Sequence, residues 1–347
     1  MSLIKLKELI QKFGPYALLG VIIFFIVFYS IKIGLVIYRS NKGEDLVINP
    51  VFGVVTKPQI EGTTTSAGLK FQIDTIEGKP VTATRSAKVY FLPPSSTKFS
   101  YRDKITASAN QLGINNIDSY NLQSNIASFK EGPRSFTVDI TNFNFNFSYD
   151  YTSDVDLFTR SIIPTAEDAK KEAIEILNSI ERYPNEFNLE SPKINYFFFS
   201  TEKKTTVPVA RNIDANIAEV NFFRGGLDGI STISKKYPNS INHATLATAD
   251  NNYVPVNLQV KFFERSTDQV GTYPVITGDE AYDALKNGEG IVLLNTDPDI
   301  KNKLIKKMHI AYYEPDEYVE YLLPVYVFEN DTFAAIVWAI NKEYLSE

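Results

Sequence analysis

The sequence predicts an α+β protein: an N-terminal transmembrane helix, then two or three modules of one helix packed on an antiparallel sheet. Three observations lead there. An uncharged apolar run opens the chain from Tyr16 to Ile31. Helix-capping sequences recur at Ser100, Thr165 and Thr277, each followed by strand-like segments. The clearest strand pattern, Asn142–Tyr151, alternates Phe143, Phe145, Phe147, Tyr149 and Tyr151 with Asn144, Asn146, Ser148 and Asp150, which puts aromatic and polar side chains on opposite faces.

The apolar run sets the first boundaries. Lys32 interrupts it, and Ile33–Tyr38 continues apolar. At 1.5 Å per residue, residues 16–38 would rise about 34 Å, enough for the ~30 Å hydrocarbon core. Lys32 lies near one end, where its stem can snorkel to the headgroups. Tyr16 and Tyr38 suit the interfacial belts. With Lys5, Lys7 and Lys12 ahead of the span, the expectation is an uncleaved signal anchor with a cytoplasmic N-terminus and an extracytoplasmic C-terminal domain in the cell membrane. Residues 1–15 are then a short basic leader and 16–38 the span. Residues 39–68, with Pro50, Pro58 and the Thr63–Ser66 run, read as an extended stalk.

Three modules are expected beyond it, at 69–155, 156–270 and 271–347. In the first, Leu69–Ile76 and Val81–Leu92 flank Glu77-Gly78-Lys79-Pro80 as a hairpin. Ser100 with Asp103 then marks a helix that stops at Gly113, and strands run near 119–123, 126–129 and 135–151. In the second, Thr165 caps a helix over about 166–180 whose buried stripe is Ala169, Ala173, Ile176, Leu177 and Ile180. The strands Lys193–Ser200, Ile213–Phe223 and Leu258–Arg265 follow as one antiparallel sheet. In the third, Thr277-Gly-Asp-Glu280 is a capping box for a helix over 278–287. Strands follow at 291–294, 308–314, 318–328 and 332–340, with Glu329-Asn330-Asp331-Thr332 as a hairpin turn.

Composition excludes several chemistries. The 347 residues are 44% apolar and contain no Cys and two His, His243 and His309. There is no disulfide framework, thiolate nucleophile or Cys-ligated metal, and no metal site is expected. A formal net charge of −6 gives nothing for nucleic acid to bind. Arg224-Gly225-Gly226-Leu227-Asp228-Gly229 lacks the spacing of a phosphate loop and reads as a turn. Asn295–Asp299 is a fragment of a calcium loop without its glycine and its closing Glu. Glu314, Asp316, Glu317 and Glu320 make an acidic turn. Neither His is accompanied by a nucleophile elbow. Asn142–Tyr151 reads as sheet core in preference to a carbohydrate platform.

The helix start Thr277–Ala281 and the run Leu322–Val327 (Leu-Leu-Pro-Val-Tyr-Val) resemble the PepSY-type and YycH/YycI-like extracytoplasmic modules of bacteria. Thr165–Ala169 matches the helix half of that pattern. The resemblance covers about the last 70 residues and implies a helix packed on a sheet. It also implies a regulatory role, since regulatory members of the family bind a sensor kinase through anchor and ectodomain. The sequence is therefore read as a membrane-anchored binding, regulatory or scaffold protein without catalytic residues or a cofactor. Its partners would be the bilayer through residues 16–38 and a second envelope protein. The alternatives are an envelope hydrolase acting on glycan or peptide, and a structural or adhesive surface protein.

Overall fold

The computed structural model describes residues 21–32, 47–65, 68–187, 192–225, 227–250 and 252–346. It divides into two compact units, Met1–Val47 and Ile48–Glu347. In the first, residues 21–32 form helix α1. Twelve residues rise about 18 Å, against the ~30 Å of a bilayer core, and no helix among the described residues is long and apolar enough to cross a membrane. This corrects the single-pass, signal-anchor reading and the membrane localisation drawn from it. Ile31 and Lys32 lie in the described part of α1; Tyr16, Tyr38 and the leader lie outside the described residues.

The second unit begins with β1 (Val55–Thr56), β2 (Thr63–Thr64), β3 (Lys70–Ile73), β4 (Ser86–Phe91) and α2 (Tyr101–Gln111). Next come β5 (Asn121–Gln123), β6 (Ile126–Glu131), β7 (Arg134–Asp139), β8 (Phe145–Tyr149) and α3 (Ala166–Ser179). The chain continues through β9 (Lys193–Ser200), β10 (Thr205–Val209), β11 (Ile217–Phe222), β12 (Thr232–Ile233), β13 (Asn242–Ala249), β14 (Asn252–Val260) and β15 (Val270–Pro274) to α4 (Gly278–Lys286). It ends with β16 (Ile291–Asn295), β17 (Asn302–Ile305), β18 (Lys307–Tyr313), β19 (Tyr321–Leu322), β20 (Pro324–Glu329), β21 (Phe333–Trp338) and β22 (Leu345–Ser346).

Sheet dominates, and it is not parcelled into successive modules. One nine-stranded antiparallel sheet runs β10-β9-β11-β13-β14-β8-β7-β6-β5, joining strands from both sides of residue 156. A six-stranded sheet runs β12-β18-β20-β21-β16-β2. A three-stranded sheet, β15-β4-β19, ties the early strand β4 to the C-terminal third. The expected pattern of one helix per sheet module is thereby corrected. The expected hairpin at Glu77–Pro80 also fails: Gly78 makes a turn onto Thr75 O, but β3 then pairs in parallel with β17 while β4 pairs with β15. From residue 48 the expected stalk belongs to the compact unit. β1 pairs with β22, β2 pairs with β16, and Phe52 stacks on Tyr273.

The helices form for local reasons. The Thr165 hydroxyl accepts the Asp168 N–H, and Ala169, Ala173, Leu177 and Ile180 are buried beneath it. At α4 the capping box is complete: the Thr277 hydroxyl accepts from the Glu280 N–H, and the Glu280 carboxylate accepts from the Thr277 N–H. Ser100 differs. It sits at the start of α2 with φ 60° and makes no side-chain cap. α2 and α3 pack on the apolar face of the nine-stranded sheet, made of residues such as Phe129, Phe136, Phe147, Val220 and Leu258. α4 packs on the six-stranded sheet beside Tyr326 and Phe333.

Candidate functional site

Register places the functional candidates. Phe145, Phe147 and Tyr149 are buried, so the aromatic strand is core. Its polar alternates belong to a row on the opposite face. Lys193, Asn221, His243, Gln259, Asn146, Thr137 and Ser128 are neighbours in register across seven strands. His243 is thus a member of a hydrogen-bonded sheet face. Its Nε2 lies 2.7 Å from Asn257 Oδ1 and its Nδ1 3.2 Å from Ile241 O. Burial pushes the imidazole pKa down, and the Lys236 ammonium pushes it the same way.

His309 stands on β18, away from His243. Lys307 and Glu329 are cross-strand partners, and Lys307 Nζ is 2.8 Å from Glu329 Oε1. The Tyr237 hydroxyl donates to the same carboxylate. His309 Nδ1 lies 3.5 Å from Glu329 Oε1. Burial raises the Glu329 carboxyl, while burial and Lys307 lower His309 to about 4. A hollow of about 350 Å3 adjoins the cluster, lined in part by Tyr237, Lys307 and Glu329. Chemically, this cluster can hold a proton at Glu329 beside a neutral imidazole.

The other sequence candidates serve the fold. Arg224, from the Gly-rich loop, is buried in a bidentate pair with Glu314 of the acidic turn. Asp316 of that turn pairs with Lys235. The oxygens of Asn295 and Asp297 receive the Lys303 ammonium at 2.7 and 2.8 Å, so a side-chain cation occupies the turn. Among the described residues no group of three or more His, Asp or Glu could hold a metal ion.

One surface escaped the sequence reading. β10 is an outer edge of the nine-stranded sheet. There Phe198 and Val207 face each other across β9 and β10, 43% and 47% exposed. Phe198 also lines a depression of about 590 Å3 with Phe158, Ile163 and Ile213. Ile163 and Ile213 are themselves 53% and 56% exposed. The sequence marks Lys193–Ser200 as a strand, but only the sheet order shows that, among the described residues, its neighbour β10 has no strand beyond it.

No protein-family model and no curated protein matches the chain. The solved structures similar to it include the crystal structure of an uncharacterized protein from Eubacterium rectale. That protein is 16% identical, at a TM-score of 0.34 over 77% of this chain and 86% of that chain.

Proposed function

We propose that this chain is a non-catalytic binding module that recognises a protein partner at the β9–β10 edge. The carrying observation is the exposed Phe198–Val207 pair beside Ile163 and Ile213. Phe198 shares one depression with Ile163 and Ile213 and faces Val207 of the edge strand, and exposed apolar side chains so placed are the kind of surface that partners bury. An extended apolar segment could lie along the edge and seat a side chain in the depression. The resemblance of Thr277–Ala281 and Leu322–Val327 to regulators that act through a protein contact supports the same reading.

The test is a photoreactive side chain placed at Val207 in the source cells, with Ile300, an exposed apolar residue elsewhere, as the control position. The expected result is a discrete adduct from position 207, absent from position 300 and lost when Phe198→Glu or Ile213→Glu is added. Equal adducts from both positions, or adducts that persist in both variants, would refute the proposal.

A second reading rests on Glu329. A carboxyl raised by burial, hydrogen-bonded by a tyrosine and open to a hollow, suits proton transfer in a hydrolase. Turnover of a glycan or peptide substrate that disappears in Glu329→Gln would favour it over the binding module.

A further inference from the structure

Among the described residues Arg224 is buried and Arg182 half-buried, and they differ in how their charge is met. Arg224 has two carboxylates, Glu314 and Glu186. Arg182, just past the end of α3, has none within ion-pair distance among the described residues. Its Nε donates to Phe143 O at 3.1 Å. Its Nη2 donates to Asn144 Oδ1 at 2.6 Å and to Phe262 O at 3.0 Å. All three acceptors are neutral. Nη1 has no hydrogen-bond partner among the described residues. Glu264, which is exposed, acts on the guanidinium only at longer range. Arg182 is half-buried, and a cation partly withdrawn from water with no carboxylate in contact is costly, since buried charges in proteins are normally paired. Burial pushes this guanidinium down to about 10.

Arg182 lines a hollow of about 230 Å3. Two further cations line it, Lys98 and Lys104. Lys104 Nζ is 3.1 Å from Glu181, whose side chain is largely exposed, and 4.8 Å from the Phe143 ring centre. The walls are held in an unusual way. Ser100, Phe143 and Glu181 all line the hollow, and all three are non-glycine residues with φ between 53° and 60°. Each such conformation is locally unfavourable, and the surrounding fold sustains it. They come from three segments: the start of α2, the β7–β8 turn and the end of α3.

We infer that this hollow binds a small oxyanion, a phosphate or carboxylate group, which completes the charge of Arg182 with help from Lys104 and Lys98. Glu181 and Glu264 also line the hollow. They disfavour an extended polyanion, and the volume suits a single such group with a short substituent.

The experiment titrates the full-length protein with inorganic phosphate at constant ionic strength. It follows the Arg182 Nε–H resonance and the thermal midpoint. The expected result is a saturable shift of that resonance together with a rise in midpoint. Arg182→Gln would also remove the bonds to Phe143 and Phe262, so the informative variant is Lys104→Gln, which lies outside the core. It is expected to weaken binding about tenfold, the loss of one charge-assisted hydrogen bond. A parallel arm with acetate separates the sources. Displacement of phosphate by acetate assigns the site to a carboxylate, such as a peptide terminus, and phosphate binding without displacement assigns it to a phosphate group. No saturable shift with either anion overturns the inference, as does an affinity unchanged by Lys104→Gln.

Discussion

Arg224 offers the sharpest stability prediction, because nearly all of its donors are accounted for. Its Nε and Nη2 meet the two oxygens of Glu314 at 2.9 and 3.0 Å. Its Nη1 meets Glu186 at 2.9 Å, and Nη2 also donates to Phe263 O. The guanidinium carbon lies 3.9 Å from the Phe262 ring centre. The Arg224 and Glu314 side chains are 1% and 5% exposed. Burial alone would lower the guanidinium pKa, but Glu314 and Glu186 reverse this and raise it. The pair joins the end of β11 in the nine-stranded sheet to the end of β18 in the six-stranded sheet. Arg224→Met strands a buried Glu314 carboxylate, at a cost of about 3–5 kcal/mol.

The double variant Arg224→Met, Glu314→Met removes both desolvation penalties. Glu186 keeps Arg265, at 2.9 Å, as its partner. The double variant should therefore lie within about 2 kcal/mol of the parent, because exchanging a buried pair for apolar residues is often close to neutral. The cycle is read by urea denaturation of the four proteins, comparing midpoints at constant slope. A loss below about 1 kcal/mol in Arg224→Met, or a double variant whose loss equals the sum of the singles, would refute the reasoning. The two residues would then act independently, and the clasp between the sheets would not exist as an energetic unit.

Other perturbations have definite signs. His309 has a folded value of about 4 against an ordinary 6.5, so the unfolded chain binds the proton more readily. Its contribution to stability is present above 6.5 and lost as pH falls toward 4, by up to roughly 3 kcal/mol. Glu329 is raised and works in the opposite sense, its stabilisation being lost as pH rises. The pH dependence of this cluster should accordingly reverse in His309→Gln, as read from denaturation midpoints between pH 4 and 7. Thr277→Ala removes the α4 cap and should cost about 1 kcal/mol in a thermal melt. Gly278→Ala tests a close approach, since an added Cβ would lie 2.5 Å from the Val81 carbonyl carbon. Helix propensity alone predicts a gain of up to about 1 kcal/mol, and the packing predicts a net loss.

The sequence made the local features legible. Thr165 and Thr277 mark helix starts because a hydroxyl three residues before a free N–H is a local arrangement. Lys193–Ser200 and the turn at Asn330 are likewise set by near neighbours. Pairing was not legible. β3 meets β17 across more than two hundred residues, and nothing in Lys70–Ile73 names that partner. β13 was missed because Asn242–Ala249 is rich in small and polar residues. It is buried all the same, with α3 packed against it. The apolar run at Tyr16–Ile31 reads as a span from hydropathy alone, and among the described residues no helix is long and apolar enough to cross a membrane. Arg182 gave no signal, because its environment is assembled from Phe143, Asn144 and Phe262, which are distant in sequence.

The widths of the layers explain why the sheet edge is open. Nine strands spaced about 4.8 Å apart make a sheet about 38 Å across. Two helices, each about 10 Å in diameter, cover roughly 20 Å of it. α2 and α3 supply that cover, with α3 lying against β11 and β13. Toward β9 the turns at Tyr151–Ser153 and Val155–Phe158 extend the packing, with Tyr151 and Phe158 against Phe199. Among the described residues nothing buries Phe198 and Val207, whose exposure follows from a sheet wider than the layers packed on it. A monomer could resolve the mismatch by making those two positions polar, as the row from Lys193 to Ser128 does on the opposite side of the aromatic core. Here they remain Phe and Val, and that choice of residues at an uncovered edge is what a binding partner would require.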